Sequence, residues 1–120
     1  MKIKSFTDLI VWKDAHKLVI SIYKTVKAFP KEELYSLSDQ MKRCSISITS
    51  NIAEGFSRQT RKEKLQFYFI AKGSLTELQN QLLVARDVGS LDKNDFTEIA
   101  KHTVTVHKLL NGLIKSAQSK

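Results

Sequence analysis

Residues that interrupt regular structure are scarce in this chain of 120 residues, which contains one proline and four glycines. An all-β sandwich or barrel needs a turn roughly every 8–12 residues, so both folds are excluded. Long hydrophobic runs are also missing, because charged residues interrupt every apolar stretch well before the ~18 residues of a membrane-spanning helix. With 42% hydrophobic and 27% charged residues, the chain has the composition of one folded domain, which we place at residues 1–120.

Cysteine is represented by a single residue, Cys44. One cysteine cannot form an internal disulfide, and this favours a reducing compartment. The N-terminal segment MKIKSFTDLI lacks the apolar core and the small-residue cleavage site of a secretory leader. We therefore expect a cytoplasmic protein.

Acidic residues are in a clear minority, with 12 Asp and Glu against 20 Lys and Arg, and the formal net charge is +8. A positive field of this size attracts polyanions, which makes RNA and DNA the first candidate partners.

Apolar residues recur at alternating spacings of three and four along four segments, a pattern that predicts helices with one buried face. The predicted helices span residues 8–28, 37–55, 61–88 and 93–116. Joined by short loops, they form an all-α, up-down-up-down antiparallel four-helix bundle. The predicted inner faces consist of Trp12, Ala15, Val19, Ile22, Val26 and Phe29; Leu37, Met41, Cys44, Ile48 and Ile52; Tyr68, Ala71, Leu75, Leu78, Leu82 and Ala85; and Phe96, Ile99, Thr103, Val106, Leu110, Leu113 and Ala117.

Capping residues set the predicted helix ends. Thr7 or Asp8 is expected to begin the first helix, and Pro30 to end it, since the residue before proline avoids helical angles. Gly55 is expected to terminate the second helix. A capping box formed by Thr60 and Glu63 predicts the start of the third helix, Gly89 its end, and Asp92 the start of the fourth.

The dipeptide Gly73-Ser74 allows two interpretations of the third helix. A break is possible, because Ser74 and Glu77 can form a second capping box. We favour one continuous helix in which Gly73 permits close approach of a neighbour.

Two helices are more apolar than the surface of a small bundle requires. The apolar residues of the first cover an arc of roughly 200°, where little more than 100° is needed. The third opens with Leu65, Phe67, Tyr68, Phe69 and Ile70. Either the core is thick and the other apolar residues are scattered over the surface, or subunits associate through a second buried face. We expect self-association.

Basic residues concentrate in two places. Residues 42–64 contain six basic side chains against two acidic ones, a local charge of +4. A lysine stripe follows the first helix within an arc of roughly 80°. Either these residues form a solvated face, or they contact phosphates, for which the planar fork of arginine is suited. The candidate nucleic-acid-binding residues are Lys42, Arg43, Arg58, Arg61, Lys62 and Lys64, together with Lys13, Lys17 and Lys24; Lys27 and Lys31 extend the stripe.

Six neutralised phosphates would give a slope of log affinity against log salt of about −5 on duplex DNA. The neighbouring rings of Phe56, Phe67 and Tyr68 could stack on bases, but we favour core positions for them.

The sequence offers no active site that we can assemble. The four glycines are far apart, so no nucleotide-binding loop is present. His102 and His107 are five residues apart, which fits one helix face poorly, and His16 stands alone. Cys44 lies on the predicted inner face with no histidine nearby, as expected of a core residue. We predict a protein that is not an enzyme and has neither cofactor nor metal.

The segment Ser50-Asn51-Ile52-Ala53-Glu54-Gly55 is the densest cluster of polar and small residues. We interpret Asn51 and Glu54 as a polar bracket that holds the second helix against the third, with Gly55, Gly73 and Ser74 as its structural companions. A role in ligand binding is the alternative. A glutamate near a helix C-terminus is electrostatically unfavourable, so Glu54 is expected to pair with Arg58 or Arg43.

The order of several short motifs is similar to that of the 23S rRNA-intervening-sequence proteins. The motifs are Phe6-x-Asp8-Leu9-x-Val11-Trp12, Phe29-Pro30-x-Glu32, Leu37-x-x-Gln40-x-x-Arg43, Ser47-Ile48-x-Ser50-Asn51-Ile52-Ala53-Glu54-Gly55 and Ala71-x-Gly73-Ser74-Leu75-x-Glu77-Leu78. The accessory variability protein of diversity-generating retroelements is a related bundle. The resemblance implies a bacterial cytoplasmic four-helix bundle that assembles as a ring, typically a homopentamer.

For the retroelement relative, the resemblance further implies a basic surface that binds nucleic acid and a ring that engages a reverse transcriptase. Members from ribosomal genes have no settled activity. Two hypotheses follow: a non-enzymatic, ring-forming protein that binds RNA or DNA, or an oligomeric protein-interaction scaffold without nucleic-acid contact.

Overall fold

The computed structural model describes residues 2–33 and 36–119 and contains four long helices. They are α1 (Ile10–Val26), α2 (Leu37–Ser57), α3 (Arg61–Asp87) and α4 (Lys93–Gln118), with short 3-10 turns at Phe6–Asp8 and Lys31–Glu33. No strand occurs in the described residues. The predicted all-α class is confirmed. The predicted domain ends, residues 1 and 120, lie outside the described residues.

The helices form a four-helix bundle in which each helix packs against its neighbours in sequence and α1 also packs against α4. Short connections between long helices produce antiparallel neighbours. The bundle measures 46 × 24 × 20 Å. One end gathers the start of α1, the loop between α2 and α3, and the end of α4; the opposite end holds the loop between α1 and α2.

The predicted inner faces form the core. All the residues assigned to them are buried or half-buried, with Ile22, Met41, Ile52, Leu78 and Leu110 fully enclosed. No helix of the described part of the chain is long and apolar enough to cross a bilayer.

The ends of α1 differ from the prediction. The Asp8 carboxylate accepts hydrogen bonds from the backbone N–H groups of Lys4 and Ser5, at 2.9 and 3.0 Å, and these bonds hold the pKa of Asp8 below its usual value. Ser5 forms the other half of this capping box, because its side chain accepts from the Thr7 N–H. The box belongs to the short turn Phe6–Asp8, and α1 begins only at Ile10. At the other end, α1 stops at Val26, four residues before Pro30, because a tighter turn brings Phe29 back into the core.

The close approach predicted at Gly73 occurs at Gly55, which does not end α2 as predicted. Helix α2 continues to Ser57, and Gly55 lies inside it, buried against Tyr68; a Cβ at Gly55 would lie 2.5 Å from Cε1 of that ring. Gly73 lies within the continuous α3, as expected, but a Cβ there would meet nothing within 4 Å. The close approach of α2 and α3 therefore occurs at Gly55.

The remaining N-caps lie at the predicted residues, although in the predicted box of Thr60 and Glu63 the Glu63 carboxylate accepts from the Thr60 hydroxyl instead of the Thr60 backbone N–H. Thr60 Oγ1 accepts from the Glu63 N–H at 3.2 Å, and Asp92 Oδ1 accepts from the Asp95 N–H at 2.8 Å. Gly89 ends α3 with a φ of 84°. The Ser90 N–H bonds to the Ala85 carbonyl and the Gly89 N–H to the Arg86 carbonyl, which is the Schellman arrangement.

Candidate nucleic-acid interface

The basic residues between positions 42 and 64 fall into two groups at opposite ends of α2. Lys42 lies near the start of α2 and Arg58 follows its end. A separation of 16 residues corresponds to about 24 Å along a helix. The structure therefore does not bring these residues together into one patch around the α2–α3 loop.

Two of the cations at the α2–α3 loop already have partners. Arg58 donates to a Glu54 carboxylate oxygen at 3.1 Å and lies 4.7 Å from the centre of the Phe67 ring. Lys64 Nζ donates to the carbonyl of Phe56 at 2.8 Å and lies 3.4 Å from that of Gly55. Lys64 thus satisfies backbone groups at the end of α2, where a cation also complements the helix dipole.

The other two cations of this loop, Arg61 and Lys62, are exposed. The nearby rings do not form an open stacking platform: Tyr68 is buried, and burial raises the pKa of its hydroxyl. Phe56 and Phe67 are half-buried beneath Lys64 and Arg58.

Lys42 and Arg43 differ in their surroundings. Arg43 pairs with Asp39 at 3.0 Å, one helical turn earlier. Lys42 points across to α1, with Nζ 5.2 Å from the centre of the Tyr23 ring. Lys42 therefore extends the basic face of α1 rather than that of the α2–α3 loop.

Four lysines are exposed along α1 and its C-cap: Lys13, Lys17, Lys24 and Lys27. Together they span about 21 Å of helix. Asp14 is the one acidic residue in this segment, and it is turned towards α4. There, His102 Nε2 lies 3.1 Å from the Asp14 carbonyl oxygen and 3.4 Å from its carboxylate. The outward face of α1 thus carries lysines without an opposing carboxylate of its own.

Tyr23 is a further candidate that the sequence-based set omitted. It is exposed at the edge of the lysine face of α1, one helical turn before Lys27, and lies beneath Lys42. Its position four residues before Lys27, which makes the two side chains neighbours on the helix surface, was the available signal. An exposed aromatic ring among cations can stack on an unpaired base.

The polar cluster between α2 and α3 is centred on Ser47 and Ser74. Their hydroxyl oxygens are 2.9 Å apart, and Cys44 Sγ donates to the Ser74 carbonyl at 2.9 Å. Asn51 Nδ2 donates to the carbonyl and hydroxyl of Ser47, at 2.8 and 3.1 Å. Burial, with a smaller contribution from Glu77, raises the pKa of the Cys44 thiol to about 11, so this group is protonated at neutral pH.

The predicted bracket of Asn51 and Glu54 between α2 and α3 is therefore wrong in its contacts. Asn51 bonds within α2, and Glu54 pairs with Arg58 as expected; in the described residues neither side chain donates to or accepts from α3. Asn51 and Glu54 each have a hydrogen-bond partner about one helical turn away in sequence. They bond to these local partners rather than to α3. The bonds between the two helices in this cluster run instead from Ser47 and Cys44 to Ser74, which is one of the predicted companions.

Apolar residues remain exposed on the outer face of α3. Phe69, Ile70, Leu83 and Val84, together with Val88 at its C-cap, retain 42–61% of their accessible surface. On α1, Val11 and Leu18 are buried in the core, so its wide apolar arc is mostly internal, and Ile10, Ile20 and Tyr23 are the large residues left outside. No group of three metal-binding side chains occurs in the described part of the chain.

Comparison with known proteins identifies the family. The family model of the 23S rRNA-intervening sequence protein matches residues 7–112, which extend from the first 3-10 turn into the last third of α4. The chain belongs to this family. No match is found among curated proteins.

The fold of this 23S rRNA-intervening sequence protein is also found in a crystal structure. A protein of unknown function from the S23 ribosomal protein family of Bacteroides thetaiotaomicron VPI-5482, solved at 1.70 Å, superimposes with a TM-score of 0.82. The two share 22% identity, over 88% of this chain and 96% of that chain. At that identity the likeness shows the bundle fold alone.

Proposed function

We propose that this protein is a non-enzymatic homo-oligomer of the bacterial cytoplasm that binds RNA or DNA through the outward face of α1. The observation that supports binding is the distribution of charge on this helix. Lys13, Lys17, Lys24 and Lys27 are exposed, whereas Asp14 faces His102 on α4. A row of cations with no carboxylate of the same helix among them is suited to a phosphate backbone, because every phosphate contact releases a condensed counterion.

The mode of recognition follows from the residue types. Lysine ammonium groups on flexible stems contact phosphates as point charges, without reading base edges. We therefore propose binding with little sequence preference. Tyr23, exposed one helical turn before Lys27 and beneath Lys42, adds stacking on unpaired bases and favours single-stranded substrates.

Assembly is proposed from the outer face of α3. Phe69 and Ile70 are exposed in the first half of α3, and Leu83, Val84 and Val88 at its end, and exposed apolar groups of this kind mark interaction surfaces. If the complementary surface lies elsewhere on the subunit, such a contact closes a ring when the rotation from one subunit to the next is a whole fraction of a turn. A homopentamer, the state implied by the family resemblance, would display five copies of the α1 face and would raise avidity without new contacts.

We propose no catalytic activity for the protein itself. The Cys44 thiol is buried, has a pKa of about 11 and donates to a backbone carbonyl, which is unsuited to a nucleophile. The histidine that contacts a carboxylate, His102, packs between α1 and α4.

Binding to labelled single-stranded RNA, measured by fluorescence anisotropy, tests the proposal with two variants of equal charge. One carries Lys→Gln at Lys13, Lys17, Lys24 and Lys27. Its control carries Lys→Gln at four exposed α4 lysines, Lys93, Lys101, Lys108 and Lys115. We expect the α1 variant to bind at least about 100-fold more weakly and the α4 control to change by less than about fivefold. Equal loss in both variants would contradict a specific role of α1.

The alternative function is a protein-interaction scaffold that contacts no nucleic acid. The exposed apolar face of α3 favours this reading, since it suits a protein partner as well as a second copy. A reverse transcriptase is the partner implied by the retroelement relative. Absence of RNA and DNA binding by the wild-type oligomer would support the scaffold.

A further inference from the structure

A pocket of about 200 Å³ lies at the end of the bundle where α1 ends and α2 begins. Three lysines, Lys27, Lys31 and Lys42, contribute to its lining, and Phe29 and Ser38 are among its other wall residues. Among the residues that the structure describes, the neighbouring carboxylates Glu32 and Asp39 do not line it, and Asp39 is paired with Arg43. The charged residues described in its lining are therefore all basic.

Ser38 is the unusual member of this pocket. The residue is 2% exposed, and its hydroxyl oxygen has no hydrogen-bond partner among the described residues. A buried hydroxyl without a partner is unfavourable, because it has lost its bonds to water and gained nothing in exchange. The hydroxyl is available to donate to a group bound in the pocket.

The start of α2 adds backbone donors at the same place. Ser36 is the N-cap, but its side chain makes no capping hydrogen bond. The first backbone N–H groups of a helix have no partner within the helix, and the helix dipole makes this end favourable for an anion. Ser38 is the second residue of α2, so the hydroxyl and the N-terminal amides belong to one turn.

We propose that this pocket binds a phosphate group. Lys27, Lys31 and Lys42 neutralise its charge, while Ser38 and the first amides of α2 donate to its oxygens. The bound phosphate group can come from two sources: a free phosphate, or a backbone phosphate of a nucleic acid bound along α1. The second source rests on the proposed function, since Lys27 belongs to both the pocket and the basic face of α1.

Titration of isotopically labelled protein with inorganic phosphate, followed by amide NMR at constant ionic strength, tests the site. We expect saturable shifts at the amides of Leu37, Ser38 and Asp39, and none with chloride at the same ionic strength. Lys42→Gln should weaken binding about tenfold, and Ser38→Ala should weaken it too. Lys101→Gln on α4 is the matched control and should leave it unchanged. No saturation, or equal binding by Lys42→Gln, would overturn the proposal.

A second titration with single-stranded RNA separates the two sources. If inorganic phosphate binds and RNA also shifts the amide signals of Leu37, Ser38 and Asp39, the pocket holds a backbone phosphate of the nucleic acid. Phosphate binding alongside RNA shifts confined to other residues would assign a free phosphate. Phosphate binding without any binding of RNA would overturn the proposed function and leave the pocket assignment intact. RNA binding without phosphate binding or shifts at these amides would overturn the pocket assignment alone.

Discussion

Gly55 contributes to the bundle by having no side chain where α2 meets Tyr68. We expect Gly55→Ala to lower the free energy of unfolding by about 1–3 kcal/mol, because the added methyl group would lie 2.5 Å from a buried ring. Gly112→Ala is the control: it adds a methyl group to the exposed side of α4, where nothing lies within 4 Å, and should stabilise by about 0.5–1 kcal/mol. Urea denaturation measures both. Equal stabilisation by the two substitutions would contradict the close approach.

Cys44 is expected to be unreactive in the folded protein. Burial raises its pKa to about 11, so at about pH 8 almost no thiolate is present, and iodoacetamide should label Cys44 only after unfolding in urea. Mass spectrometry of the labelled protein measures this. Rapid alkylation under native conditions would contradict the buried, protonated state.

The same pKa shift predicts a pH dependence of stability. Between pH 9 and about 11 the unfolded chain loses the Cys44 proton while the folded chain retains it, so the free energy of unfolding should fall as the pH rises through this range. The wild type should lose about 2 kcal/mol more than Cys44→Ala over this interval. Parallel pH profiles of the two proteins would show that the thiol is not responsible.

At the scale of the helices, Lys64 and Lys62 are expected to differ although they lie two residues apart. Lys64 donates to carbonyls at the end of α2, whereas Lys62 is exposed. Lys64→Met should therefore cost about 1 kcal/mol in the free energy of unfolding, and Lys62→Met less than about 0.5 kcal/mol. Both substitutions remove one charge, so a difference between their free energies of unfolding, measured by urea denaturation, reports the capping bonds of Lys64. Equal free energies would contradict a capping role of Lys64.

The spacing of apolar residues predicted the four helices and their inner faces. The buried stripe of a helix repeats with the helical period, so it can be seen in the sequence of that helix alone. The ends of α1 were missed where local bonds compete with the helix, as at Asp8. Gly55 was misread because the distance between two helices is not contained in the pattern of either one.

At the scale of the whole molecule, the exposed face of α3 predicts association. Light scattering at micromolar concentration should give about five times the 13.7 kDa of one chain. The double change Ile70→Glu and Val84→Glu should reduce this mass, because buried unpaired carboxylates oppose the contact. Ile10→Glu, also an exposed apolar position, is the control and should preserve it. A monomeric wild type would contradict the ring.

The candidate interface could be predicted from the sequence only in part. The number of lysines and their spacing along α1 identified the lysine stripe, because residues that share a face of one helix can be found from the sequence of that helix alone. The +4 segment at residues 42–64 was a count along the chain, and it could not show that Lys42 and Arg58 lie at opposite ends of α2. Nor could it show that Arg58 and Lys64 are engaged by Glu54 and by backbone carbonyls.

The salt dependence of binding to a duplex about ten base pairs long tests most directly whether α1 is the phosphate-binding face. With four lysines engaged, log affinity should fall against log salt with a slope of about −4. The α1 variant with four Lys→Gln changes should lose most of this slope, and the α4 variant should keep it. A wild-type slope near zero, or an unchanged slope in the α1 variant, would contradict nucleic-acid binding through α1.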